Sequence, residues 1–191
     1  MKLLEERIKK DGEVLSSDVL HVDSFLNHQI DVALISELAR EWYEHFKDAH
    51  VTKILTIEAS GIGLACIAAQ YFKVPVVYAK KSRSSSMSRD VYSTRVVSYT
   101  HGQSYEVRVS KKYISKDDKI LLIDDFLAHG SALKVLINLT EMAGAKVVGA
   151  GIAIEKAYQM GGKNIRDMGY DVYSLARIKA MSTDGGVVFE D

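Results

Sequence analysis

Two neighbouring carboxylates carry the clearest chemical signal in this chain. The run Ile120-Leu121-Leu122-Ile123-Asp124-Asp125-Phe126-Leu127-Ala128-His129-Gly130-Ser131-Ala132-Leu133 places four apolar residues, then two acids, then small residues ahead of a helical pattern. Adjacent acids repel each other and make a poor purely structural choice. They can, however, accept hydrogen bonds from paired hydroxyls, or stand beside a hydrated cation near a sugar phosphate. The small residues from Ala128 to Ala132 let backbone amides cradle a terminal phosphate, and the start of a helix adds favourable potential. A second turn of this kind, Glu58-Ala59-Ser60-Gly61-Ile62-Gly63, also precedes a helical stretch. It is no dinucleotide fingerprint, because Cys66 stands where the third glycine belongs, and no Walker loop, because no Gly-Lys-Ser/Thr follows.

These residues need a scaffold that delivers them to one place. Apolar Ile54 to Ile57, a helix from about Ile62 to Phe72 and apolar Val74 to Ala79 read as strand, helix, strand. The order repeats with Ile120 to Ile123, a helix from about Ser131 to Ala143 closed by Gly144, and apolar Val147 to Ile154. Apolar strands alternating with helices imply an α/β fold: an open, parallel, twisted sheet flanked by helices, with right-handed crossovers. Such sheets bind ligands at the carboxyl ends of their strands, where both small-residue turns fall.

Upstream, Leu3, Leu4, Arg7 and Ile8 suit a short amphipathic helix that Gly12 ends. Asp31 is a good N-cap for a helix whose Leu34, Leu38, Trp42 and Phe46 form a core-facing stripe, and the stretch from Val14 to Ile30 is irregular. Between the two strand-helix-strand units, Ser82 to Ser88 is serine-rich, and Thr94 to Tyr99 and Tyr105 to Ser110 alternate about His101-Gly102. That pattern predicts a flexible hairpin lid over residues 80–110.

The whole chain narrows the field. At 191 residues it suits a single domain with its own core. Twenty-five basic residues balance twenty-five acidic ones, so no general field draws it to nucleic acid or to an anionic membrane. The start lacks the apolar run of a secretory signal, no stretch reaches the ~20 apolar residues of a membrane span, and the single cysteine cannot form an internal disulfide. These features predict a cytoplasmic location without membrane or nucleic-acid partners. Cys66 lies on an apolar helical face and is expected to serve packing. The six histidines lack metal-ligand spacing, so no zinc site is expected.

The Asp124-Asp125 segment resembles the diphosphoribosyl-binding signature of the type I phosphoribosyltransferases, and the likeness extends over nearly the whole chain. The resemblance implies that Asp124 and Asp125 contact the ribose hydroxyls, while Ala128, His129, Gly130, Ser131 and Ala132 hold the 5-phosphate. The family commonly has threonines where this chain has His129 and Ala132, which leaves Ser131 and the backbone to compensate. Glu58, Ala59, Ser60 and Gly61 match the family's diphosphate loop, which often contains a non-proline cis peptide, and Lys80 and Lys81 fall where the family places a basic residue on the diphosphate. Residues 80–110 correspond to the loop that closes over the reacting centre. Arg83, Arg89 and Arg95 can add charge there, with no means of choosing among them.

Base recognition is read from two further places. Lys156, beside Glu155 at the end of the Val147 strand, can donate to a purine 6-oxo group, as the matching lysine does in the xanthine-specific branch. Residues 1–30 include a stretch similar to the hood that covers the base in purine-specific members, and its segment Asp18 to Gln29 implies base contacts from Leu20 and Asn27. An asparagine amide can donate or accept, so Asn27 alone does not fix the base. The resemblance therefore implies transfer of a phosphoribosyl group from phosphoribosyl diphosphate to xanthine, in a homodimer. Magnesium would be bound mainly through substrate, without direct protein ligation. Two rivals remain: transfer to hypoxanthine, guanine or adenine, with Lys156 weighing against adenine, whose 6-amino group is a donor, and a non-catalytic regulator that senses phosphoribosyl diphosphate. The zero net charge and the lack of room for a DNA-binding module before the Ile54 strand count against the regulator.

Overall fold

The computed structural model describes residues 1–81, 90–97 and 104–190. Helix α1 (Lys2–Asp11) buries Leu4 and Ile8 and stops at Gly12. Gly12 has extended backbone, and a Cβ there would lie 2.5 Å from the Ile8 carbonyl, so close approach is what demands glycine. Short strands β1 (Glu13–Val14) and β2 (Leu20–His21) pair antiparallel. They lead into a single wide π turn, Asp23–Asn27, which buries Phe25 and Leu26 and completes the hood. In α2 (Val32–Phe46), Asp31 accepts the Leu34 N–H at 3.1 Å, and Leu34, Leu38, Trp42 and Phe46 are buried as their spacing requires.

The first unit follows as β3 (Lys53–Ile57), α3 (Ser60–Phe72) and β4 (Val76–Ala79). Strands β5 (Val91–Val97) and β6 (Ser104–Ser110) form the expected antiparallel hairpin. Its His101-Gly102 tip and the serine-rich segment with Arg83 and Arg89 lie outside the described residues. The second unit is β7 (Lys119–Leu127), α4 (Ser131–Met142) and β8 (Lys146–Lys156). Helix α5 (Gly161–Asp167) and strands β9 (Val172–Ser182) and β10 (Gly186–Phe189) follow.

The six-stranded sheet has the order β10-β9-β8-β7-β3-β4. Its first five strands in sequence are parallel, but β10 runs antiparallel to β9, so the sheet is mixed rather than wholly parallel. The reversal is local: the Ser182 hydroxyl accepts the Gly185 N–H at 2.9 Å and Gly186 takes a positive φ of 67°, which folds the chain back on itself. One face is covered by α1, α2, α3 and the hood, and the other by α4, α5 and the β5-β6 hairpin. Among the described residues no helix is long and apolar enough to cross a membrane.

Two details of the sheet create the crevice. The chain crosses from β3 to β4 on one side and from β7 to β8 on the other, so the β3-β7 boundary is the point where the strand order reverses. Pairing of β3 with β7 ends at Leu55–Leu122, whereas β7 and β8 stay paired to Leu127–Glu155. The acids, expected just past a strand end, therefore lie within β7, on the stretch that has parted from β3.

Candidate active site

Asp124 and Asp125 are nearly enclosed, at 5% and 7% exposure. The Asp125 N–H donates to Asp124 Oδ1 at 3.0 Å. The Asp125 carboxylate accepts from Ser60 Oγ at 3.0 Å on Oδ1 and from Asn27 Nδ2 at 2.9 Å on Oδ2. All three donors are neutral. Burial, and then the neighbouring Asp125 charge, push the Asp124 carboxyl well above the ordinary carboxylate range, and Lys81 pulls weakly the other way. The first turn of α3 closes over this pair. A Cβ on Gly61 would fall 2.1 Å from Thr56 Oγ1 and 3.2 Å from Asp124 Oδ1, so only glycine lets the helix approach so near.

The turn after β7 has the form its small residues suggest. Gly130 caps α4 with a positive φ of 81° and Ser131 begins the helix. The amides of His129, Gly130, Ser131 and Ala132 have no protein acceptor among the described residues, which leaves four donors uncommitted at a helix N-terminus. His129 is exposed. The turn is braced from behind, because Gly161 N–H donates to the Ala128 carbonyl at 3.1 Å. Any side chain at Gly161 would strike Ala128 O at 2.1 Å and Gly130 N at 2.6 Å. Sequence reading missed this brace, although the Gly161-Gly162 pair after a strand end was the available signal.

On the other side of the crevice, the Glu58–Ala59 peptide bond is cis, as the resemblance anticipates, and α3 starts at Ser60 without a side-chain cap. The amides of Ala59, Ser60 and Gly61 likewise lack a protein acceptor among the described residues. Glu58 turns aside, and its Oε1 accepts the Lys81 N–H at 2.5 Å. Lys80 and Lys81 lie just past the end of β4, Lys80 bridged to Arg108 and Lys81 in a bend. Lys81 acts on Asp124, whereas Lys80 Nζ lies 5.7 Å from the centre of the Tyr78 ring, along a groove lined also by Lys53, Lys112 and Tyr113. Of the two, Lys81 is the one whose charge is felt at Asp124.

The hood reaches the site at two points. Asn27 meets Asp125, and Lys156 at the end of β8 donates to the Asp18 carbonyl at 2.6 Å, with Nζ 5.5 Å from the centre of the Phe126 ring. Burial holds the Lys156 ammonium below its usual pKa. Tyr158 and Gln159 add hydrogen bonds to Ser17 O at 2.7 Å and Asp18 Oδ1 at 2.8 Å, a latch that sequence reading did not find. Leu20 is buried within the hood. Lys156 does not pair with its neighbour Glu155, which is fully buried. Arg166 holds Glu155 bidentately at 2.8 and 2.7 Å, and Arg177 lies 3.4 Å away. Cys66 is exposed on α3, which corrects the expectation of a packing role. Arg95 is exposed on the hairpin.

Comparison with known proteins gives a consistent picture. Residues 21–174 match the family described as the phosphoribosyl transferase domain. The chain is 55% identical over 181 residues to a xanthine phosphoribosyltransferase of Ruminiclostridium cellulolyticum, covering 95% of each chain. It is 54% identical over 191 residues to one from Clostridium novyi, covering both chains completely. Among solved structures, the Giardia lamblia adenine phosphoribosyltransferase complexed with 9-deazaadenine superposes with a TM-score of 0.69 at 26% identity, over 77% of this chain and 81% of that one.

Proposed function

The chain belongs to the phosphoribosyl transferase family, and from that premise we propose that it converts xanthine and 5-phosphoribosyl 1-diphosphate to xanthosine 5′-monophosphate and diphosphate. The observation that carries the reading is the pairing of two enclosed acids, which form no salt bridge among the described residues, with a following turn whose amides have no protein acceptor among them. A ribose diol on Asp124 and Asp125 places its 5-phosphate on the amides of residues 128–132, and its diphosphate on the first turn of α3 beside Lys81. The base nitrogen, giving up its proton to water, then bonds to the anomeric carbon as the carbon–oxygen bond breaks and its electron pair leaves with the diphosphate.

The protein needs no covalent nucleophile for this transfer. Carboxylates beside the ribose favour the positive charge that develops there, and a closed, dry site strengthens that effect. Lys156 offers its ammonium to the 6-oxo group and Asn27 its amide to the base, with Leu20 in the covering hood. Magnesium fits this donor set, because two adjacent acids with no salt bridge among the described residues can accept hydrogen bonds from the water shell of a hydrated divalent ion. Bound mainly through substrate oxygens, it supplies neutralisation of the diphosphate leaving group. We read the chain as one catalytic domain acting in purine salvage, in the cytoplasm, as a homodimer.

Incubation with phosphoribosyl diphosphate, magnesium and each purine separately tests the proposal. Xanthosine monophosphate should form fastest. Preferential reaction of hypoxanthine or guanine would overturn the base assignment, and binding of the sugar diphosphate without turnover of any base would favour a sensor.

A further inference from the structure

The surroundings of Asp125 imply more than a binding role. The residue is 7% exposed, and each carboxylate oxygen is already engaged by one neutral donor, Ser60 Oγ on Oδ1 and Asn27 Nδ2 on Oδ2. A sugar diol that bonds this enclosed carboxylate competes with those two donors for its oxygens. The two donors differ in what holds them. Ser60 begins α3, whose first turn is wedged against Thr56 and Asp124 through Gly61. Asn27 ends the single π turn of the hood and meets Asp125 through its side-chain amide. Asn27 is therefore the group that yields.

We propose that Asn27 couples the sugar and base subsites as a positioning residue: it rests on Asp125 while the ribose subsite is empty, and ribose hydroxyls displace its amide toward the purine. The inference rests on the phosphoribosyl-transfer reading above. The hood arrangement supports it, because Lys156, the other base-side donor, is also held by the hood, through the Asp18 carbonyl at 2.6 Å. A base that binds before the sugar must break the Asn27–Asp125 bond itself. A base that follows the sugar finds the amide already free. Linkage then makes the effect reciprocal between the two ligands.

Calorimetric titration of xanthine, with and without saturating ribose 5-phosphate, tests this directly. Ribose 5-phosphate supplies the diol and the phosphate but has no diphosphate to lose, so binding is measured without reaction. In the wild-type protein it should tighten xanthine binding about tenfold. In Asn27→Ala, xanthine should bind more weakly and ribose 5-phosphate should no longer tighten it. Ribose 5-phosphate alone should bind Asn27→Ala at least as well as wild type, since its competitor for Asp125 is gone. A merely structural loss would weaken both ligands together. Ser60→Ala should keep the tightening. Coupling of wild-type size in Asn27→Ala overturns the proposal, as does its absence from a wild-type protein that makes xanthosine monophosphate. Failure of the wild-type protein to make that nucleotide overturns the functional reading and this proposal with it.

Discussion

Strands β7 and β8 end side by side, and each buries acid, yet the two ends are built to opposite purposes. On β8, Glu155 is 1% exposed and grasped by Arg166 through two hydrogen bonds, with Arg177 close by. Burial opposes its charge, but hydrogen bonds from Arg166 and Ser174 outweigh it and hold the carboxyl below its ordinary range. On β7, Asp124 and Asp125 are almost as enclosed and have only neutral donors, so burial prevails and Asp124 is pushed upward. Two buried acids thus have opposite electrostatics, one facing a guanidinium and the other a second carboxylate. Glu155 is complete and structural. The pair on β7 is left incomplete, and that incompleteness is what a ligand's hydroxyls or a cation can fill.

Substitutions can break this contrast at either end. Asp125→Asn should have the largest effect, lowering kcat/KM for nucleotide formation by about a hundredfold through weaker stabilisation of the ribose charge, with little change in melting temperature. Equal losses in activity and stability would make Asp125 a structural acid like Glu155. Glu155→Gln should do the reverse. It removes the charge facing Arg166, whose side chain keeps 30% exposure, so the loss should be about 2 kcal/mol in urea unfolding, below the range for a fully buried pair. Activity should fall less than stability implies.

Asp124→Asn should be smaller and opposite in sign, raising stability by about 1 kcal/mol at neutral pH because it removes a costly buried charge. The pH dependence sharpens the comparison. With its folded pKa raised, Asp124 contributes stability that is complete below the ordinary carboxylate range and is lost as pH rises through the folded pKa. The variant's advantage should therefore be absent in acid and grow with pH. Glu155, with its pKa lowered, contributes stability that is present above the ordinary range and lost as pH falls. Thermal melts from acid to neutral pH should show the two slopes running in opposite directions. Cys66→Ser, at an exposed position, should change stability by less than about 0.5 kcal/mol and leave turnover unaltered.

The sequence made some of this arrangement legible and hid the rest, for physical reasons. Period and capping announced α2, α3, α4 and the strands between them, because burial on a helix stripe or a sheet interior writes itself into consecutive residues. The acids and the small-residue turn after them stood out because nothing structural favours their chemistry. Strand β9 and α5 were not read, since Val172–Ser182 mixes polar residues into its alternation and Gly161–Asp167 is only two turns long. Cys66 was assigned to packing because it falls on an apolar helical face, and α3, apolar nearly all round, turns that position outward. The contacts that join distant segments, Asn27 to Asp125, Lys156 to Asp18 and Gly161 to Ala128, leave no local periodicity and emerge only once the chain is folded.

A crystal structure with xanthosine 5′-monophosphate bound tests the central claim most directly. The account places the ribose hydroxyls about 3 Å from the Asp124 and Asp125 carboxylates and the 5-phosphate on the amides of residues 128–132, with the base between Lys156 and Asn27. A nucleotide bound elsewhere, or one whose phosphate leaves those amides in water, would contradict it.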